Sequence, residues 1–354
     1  MVNIRRLFPG GNTSVGFYSY HDNIIDIDRN MLYILKGMPG GGKSTIMREI
    51  GEKAVKEGFS VEFHHCPFDP NSIDGVVINE LKICVLDGTA PHIIDPVYPG
   101  LTDKIVDLGP FIDSDGLKLY KSEIFMAKKN NKNAYRSAFN YFRSSKPIYD
   151  NIEQSNKENV DFANINKLTK NAIERIFSKE QILNDVVSFK ERHLFTSAFT
   201  PEGFVDYTST VIDGVKDRYY LNGSIGTGKT TFLKRIAQEA ILRNYHVEIF
   251  HNPLIPNKID SLIIKELNTI ISTTNDTKNY IYTTIDLDEY FDKDCINQND
   301  YQLFNSIIEK GIDALHSAKD NHAIIESVYK KCINYSGITE IKIKLWEEIK
   351  VRIF

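Results

Sequence analysis

One octapeptide pattern occurs twice in this chain. Gly37-Met-Pro-Gly-Gly-Gly-Lys43-Ser44 and Gly223-Ser-Ile-Gly-Thr-Gly-Lys229-Thr230 both read G-x-x-x-x-G-K-[ST]. Glycines at this spacing let consecutive backbone N–H groups curl around an anion at the start of a helix, and the arrangement works only between a β-strand and that helix. Strand, loop and helix are therefore demanded twice. The two lysines lie 186 residues apart, and at that offset Val61-Glu62 falls on Val247-Glu248, His65 on His251, Pro67 on Pro253, Ile73-Asp74 on Ile259-Asp260 and Glu80-Leu81 on Glu266-Leu267, without a gap.

Upstream the register shifts by one residue: Leu7-Phe8, Thr13, Gly16-Phe17 and Tyr20 match Leu194-Phe195, Thr200, Gly203-Phe204 and Tyr207. Downstream, Val106-Asp107-Leu108 echoes Ile285-Asp286-Leu287. The duplication thus covers whole domains, and 354 residues suit two of them at roughly 100 to 200 residues each. In each copy a β-rich run (Met31 to Leu35; Tyr219 to Leu221) precedes the glycines, and a helix-length stretch follows. Further apolar runs stand at Ser60 to Cys66, Gly75 to Ile78 and Lys82 to Leu86, and at His246 to His251. The expected fold class is α/β: two tandem P-loop NTPase domains, each a mostly parallel sheet with helices on both faces.

Each copy continues into a polar segment of helical periodicity, about 116–179 and 293–354, read as a helical arm that packs on its own domain. Leu315, Ala318, His322, Ile325, Tyr329 and Cys332 mark one face of the second arm. Asn151 to Asn166 should contain an exposed turn, and the boundary falls near Ser188, giving domains 1–188 and 189–354. A protein partner could dock on the arms.

With 42% hydrophobic and 25% charged residues the chain has the balance of a globular protein, which excludes wholesale disorder. A net charge of −4 supplies no basic field for a nucleic-acid backbone. Cys66, Cys84, Cys295 and Cys332 form no C-x-x-C pair and read as buried thiols in a reducing compartment. No run of 18 apolar residues and no signal-peptide pattern occurs, so a cytoplasmic location without membrane contact is expected.

At the first loop Gly40, Gly41 and Gly42 provide curvature, Lys43 is placed for the β- and γ-phosphates, and Ser44 offers a hydroxyl to a magnesium ion, with Thr45 next to it. Gly226, Thr227, Gly228, Lys229, Thr230 and Thr231 are their counterparts. Magnesium also needs an acid at the end of a buried strand, and Ile83-Cys-Val-Leu-Asp87 has that form; His92 and Asp95 follow it. Asp87 aligns with Thr273, so the two sites should be unequal. Asp107 and Asp286 are fallback acids. His65 and His251 read as packed histidines bonding backbone. Nothing selects a catalytic arginine among Arg48, Arg136, Arg143 and Arg175. Asn257-Lys-Ile-Asp260 spells N-K-x-D, but Asn71-Ser-Ile-Asp74 stands in its place in the first copy, so the repeated feature is Asn-x-Ile-Asp and sets no base preference.

With tandem loops, the opening Phe8-Pro-Gly-Gly-Asn-Thr13, Gly16-Phe-Tyr-Ser19 and Asp87-Gly-Thr-Ala-Pro-His92, the chain resembles an uncharacterised family of bacterial tandem P-loop ATPases, labelled ATP/GTP-binding proteins. The likeness spans nearly the whole length and implies nucleotide binding on Lys43, Ser44, Lys229 and Thr230. The expected function is magnesium-dependent hydrolysis of ATP, or GTP, mainly at the first site, with a binding or regulatory second site. A small-molecule or nucleotide kinase and a non-hydrolysing nucleotide sensor are the alternatives.

Overall fold

The computed structural model describes residues 2–90, 93–178, 191–274 and 282–352. The first half holds β1 (Ile4–Leu7), the hairpin β2 (Gly10–Thr13) and β3 (Gly16–Ser19), β4 (Met31–Lys36), α1 (Lys43–Lys56), β5 (Val61–Cys66), β6 (Asp69–Ile78), β7 (Ile83–Asp87) and β8 (Asp103–Asp107). The helices α2 (Ser114–Lys118), α3 (Lys121–Lys157) and α4 (Phe162–Ile176) follow. The second half repeats the plan with β9 (Glu191–Leu194), β10 (Ser197–Thr200), β11 (Gly203–Asp206), α5 (Thr208–Ile212), β12 (Asp217–Asn222), α6 (Lys229–Leu242), β13 (Val247–His251), β14 (Ile259–Ile264), β15 (Thr269–Ser272) and β16 (Thr283–Asp286). It ends in α7 (Gln298–Lys330) and α8 (Tyr335–Lys350). The boundary expected near Ser188 lies outside the described residues.

Two six-stranded sheets have the same order, β1-β5-β6-β7-β4-β8 and β9-β13-β14-β15-β12-β16. Both are mixed but mostly parallel, as expected: five strands of each run one way, and β6 and β14 are reversed. The outer pairs and both neighbours of β4 and of β12 are parallel, but β5-β6-β7 and β13-β14-β15 are antiparallel meanders. Chain length between strands is the reason: only Pro67 and Phe68 separate β5 from β6, whereas a parallel crossover needs a dozen or more residues.

The helices depart from expectation, because among the described residues α-helices cover only one face of the first sheet. There α1 packs with α8, whose Ile338, Leu345, Trp346 and Ile349 join Tyr33, Phe63 and Val85 in one core. The opposite face, Leu32, Ile34, Cys84 and Leu86, is closed by Ile24, Ile25 and Ile94 from loops. On the second sheet α6 packs with α4, whose Ile165, Ala172 and Ile176 sit against Leu221, Leu262 and Ile271; the short α5 lies on the other face. The arms are therefore exchanged: the last helix of each half packs on the sheet of the other half.

Length makes the exchange possible. At 1.5 Å per residue, the 37 residues of α3 reach about 55 Å. Antiparallel to it runs α7, with Asn131 bonded to the Ala318 carbonyl, Phe142 against Gly311, and Tyr149 facing Phe304. A Cβ on Gly311 would stand 2.5 Å from the Phe142 ring, so glycine sets how closely the helices approach. On α7, Leu315, Ala318 and Ile325 are buried as the periodicity predicts, while His322 is exposed and Tyr329 half-buried. The turn in Asn151 to Asn166 falls between α3 and α4, but it is tied down: Val160 bridges Phe291, and Asn156 is buried. Side chains of Asp161 and Asn334 cap α4 and α8.

The halves meet about an approximate two-fold axis. Phe8 and its counterpart Phe195 exchange N–H···O bonds of 2.9 and 3.0 Å, which equivalent residues do only beside such an axis. Around them Arg5 reaches Glu62 (2.8 Å) and Glu248 (2.6 Å), and Arg192 reaches Glu62 (2.7 Å) and Glu248 (3.0 Å). Each glutamate is buried and each serves both arginines. Burial opposes their ionisation, but the arginines outweigh it and hold both carboxyls well below the usual range. The cysteines are all free; Cys84 and Cys332 are buried, while Cys66 and Cys295 are half-buried.

Candidate functional site

The buried strand β4 ends at Lys36, and the chain turns at once into the first glycine loop. Gly40 (φ +69°) and Gly42 (φ +79°) adopt left-handed backbone that other residues avoid. Gly42 caps α1 without any side-chain acceptor, so the first N–H groups of the helix face outward with the positive end of its dipole. Lys43, 9% exposed, folds back over the loop and donates to the carbonyls of Met38 (3.0 Å) and Gly37 (3.4 Å). Ser44 Oγ accepts from the N–H of Ile73 (2.9 Å), and Thr45 is exposed.

Asp87 ends β7 beside Leu35 of β4, which brings one carboxylate oxygen 3.6 Å from Lys43 Nζ. Its other oxygen accepts from Thr89 N (2.9 Å) and Thr89 Oγ1 (2.6 Å). Lys36 then holds the next loop through the carbonyls of Gly88 and Ile94. Asp95 pairs with Lys36 at 3.1 Å and points outward, 75% exposed, and His92 lies outside the described residues. Asp107 accepts the Gly109 N–H at 2.8 Å.

In the second half Gly226 (φ +91°) and Gly228 (φ +99°) repeat the backbone, and Lys229 donates to the carbonyls of Gly223 and Ser224. Thr227 is buried, its hydroxyl on the Ser224 carbonyl, and Thr231 is exposed. The surrounding acids differ. Thr273 takes the place of Asp87, and Asp286 accepts from Asn222 (2.8 Å). Asp288 accepts from Ser224 N (2.6 Å) and Ser224 Oγ (3.2 Å), which places a carboxylate on the loop itself. Burial lowers the Lys229 pKa although Asp260 and Asp288 are near.

Two pairs of residues add to this picture. Of the repeated acids of Asn-x-Ile-Asp, Asp74 is buried on β6 and Asp260 is half-buried on β14. Burial pushes the Asp260 carboxyl up to about 6 against the pull of Lys229 and Asn252. The repeat itself was the signal that marked them. His21, 5% exposed, has Nδ1 2.8 Å from Ser19 Oγ and Nε2 3.8 Å from Asp74, and burial lowers its pKa to about 3. Its counterpart Thr208 bonds Thr196 instead. No repeat announces His21.

Each loop is also touched by the other half. Asn156 of α3 donates to the Ile225 carbonyl (2.8 Å), and a Cβ on Gly226 would lie 2.8 Å from the Glu153 carbonyl oxygen. Tyr335 at the start of α8 donates to the Gly40 carbonyl (3.1 Å), and a Cβ on Gly40 would lie 3.1 Å from Lys330 and 3.3 Å from the Glu326 carbonyl oxygen. These contacts follow from the exchanged arms.

His65 bonds the Pro70 carbonyl at 2.7 Å and packs on Tyr207, while His251 meets His193 at 2.9 Å and stacks on Tyr20. Burial lowers both to about 4, as for packed neutral rings. Arg48 bonds the Asn71 carbonyl, Arg136 and Arg143 are exposed, and Arg175 lies over Tyr219.

Neither a protein-family model, nor a curated protein, nor a solved structure matches the chain. Among the described residues no group of three or more His, Cys, Asp or Glu could hold a metal ion, and no helix is long and apolar enough to cross a membrane.

Proposed function

We propose that the chain is a tandem P-loop nucleoside triphosphatase that hydrolyses ATP or GTP at the first loop and uses the second mainly for binding or regulation. The observation that carries this reading is the Lys43–Asp87 pair: a loop lysine with a strand-end acid 3.6 Å away, where the second loop has Thr273. Positive-φ glycines leading into an uncapped helix start give a phosphate its N–H donors. Lys43 exchanges two backbone carbonyls for phosphate oxygens, a movement its four-carbon stem allows.

Ser44 and Asp87 are hard oxygen donors on neighbouring elements, the kind magnesium takes when phosphates and water complete its shell. Magnesium bound there would neutralise charge developing between the β- and γ-phosphates. Water adds to the γ-phosphorus, the bond to the bridging oxygen breaks, and nucleoside diphosphate, phosphate and a proton leave. At the second loop, Asp288 sets a negative charge against an incoming triphosphate, which supports a weaker or regulatory site.

The test is magnesium-dependent phosphate release from ATP and GTP by the wild type, Lys43→Ala and Lys229→Ala, with bound nucleotide counted in parallel. Release lost only in Lys43→Ala is the expected result. Release that survives Lys43→Ala would overturn the assignment of hydrolysis to the first loop.

A further inference from the structure

The two long helices end in the same pair of residues, Glu153 and Lys157 on α3, Glu326 and Lys330 on α7, each pair spaced i, i+4 and bridged at 3.1 Å. Both ends arrive at a glycine loop of the other half. On the first loop the contact is direct: the Lys330 Cγ and Cε lie 3.1 and 3.2 Å from where a Cβ of Gly40 would stand. A helix C-terminus is an adverse neighbour for a triphosphate, because its unpaired carbonyls carry partial negative charge, and Glu326 adds a full one. Such an end becomes favourable only with a cation that can turn to the phosphate. Lys330 is half exposed, its ammonium pairs only with Glu326 among the described residues, and its stem already lies along the loop. The arginines named above all lie elsewhere.

We propose that Lys330, delivered by the arm of the second half, is the cation that contacts the terminal phosphate held by the first loop, and that Lys157 occupies the corresponding place at the second. The inference rests on nucleotide binding at these loops. It makes each site a composite of both halves, with the terminal phosphate drawing Lys330 away from Glu326. Charge supplied across an interface in this way stabilises phosphoryl transfer most where charge accumulates on the γ-phosphate.

The experiment measures binding of magnesium with the non-hydrolysable β,γ-imido analogue of ATP, and of magnesium with ADP. The proteins are the full chain, Lys330→Ala and Lys330→Arg, all in a Lys229→Ala background so that the first loop is read, with circular dichroism as a check on folding. The expected result is an analogue affinity about 10- to 100-fold lower in Lys330→Ala, the scale of one hydrogen bond to a charged group. ADP affinity stays within about twofold, and Lys330→Arg recovers most of the loss. Equal weakening for both ligands, or none, would overturn the role of Lys330 while leaving nucleotide binding intact. Binding of neither ligand by the parent protein would instead overturn the function proposed above, and this inference with it.

Discussion

The two glycine loops share a backbone and differ in their acids. Gly40 and Gly42 match Gly226 and Gly228 in left-handed φ, Lys43 and Lys229 fold onto the same two carbonyls, and a helix end from the other half approaches each. Around that common frame, Asp87 corresponds to Thr273 and His21 to Thr208, and among the described residues only the second loop carries a carboxylate on its own amide, Asp288 on Ser224. Backbone conformation and burial hold the frame in both copies, since any change there meets packed neighbours. Charge placed around the loop is open to change without unfolding anything, so function can diverge there while the fold does not.

The largest effects should fall on the shared frame and be equal in the two halves. Glu62→Gln and Glu248→Gln each leave two mostly buried arginines with one carboxylate, and each should cost about 3–5 kcal/mol in urea unfolding. A cost confined to one of them would break the two-fold equivalence of the halves. The pH dependence has a definite sign: both carboxyls are depressed, so their contribution is present above the ordinary glutamate value of 4.5 and is lost as pH falls below it toward the folded values. Both variants should therefore show a shallower acid limb than the wild type.

The lysines come next, and here the halves should part. Lys43→Ala should lower turnover by about two to three orders of magnitude, the scale of one preorganised charge contact, while Lys229→Ala alters binding or regulation. Equal losses would dissolve the distinction between the sites. Asp87→Asn should reduce magnesium-dependent turnover roughly 10- to 100-fold, as for loss of a group supporting a metal site. A Thr273→Asp variant asks whether the second loop lacks only that acid. If its turnover stays at the wild-type level, Asp288 and the absence of a histidine at Thr208 matter as well.

Much of the frame was legible because repetition filters chance. Two matching octapeptides placed both strand-loop-helix units, and the offset of 186 carried β5, β6 and their partners with them. The mixed sheet was less legible, since Gly75 to Ile78 and Lys82 to Leu86 read as buried strands of either direction; the two-residue link at Pro67 and Phe68 held the answer. The exchange of arms was not legible at all. Periodicity in α4 and α8 shows an apolar face, but both sheets offer nearly the same face to it, and the choice is made by helices α3 and α7 long enough to carry each arm past its own half. Asp74 and Asp260 were visible as a repeat, but their position beside the glycine loops depends on where strands β6 and β14 lie in the sheets, which the repeat alone does not show.

Asp288 marks the limit of reasoning from the repeat, because its counterpart in the first half is Gly109 and a residue present once leaves no echo. It also gives the smallest and most selective prediction. Removing its charge with Asp288→Asn keeps an oxygen for the Ser224 N–H and so preserves the loop, but relieves repulsion of about 1 kcal/mol against an incoming triphosphate. Nucleotide affinity at the second loop should rise roughly fivefold, with turnover at the first loop unchanged. Titration of nucleotide in a Lys43→Ala background isolates that site. A rise would mean that the second loop is held back by its own carboxylate, and hence that the difference between the halves lies in charge; no change would move the cause to the missing acid at Thr273.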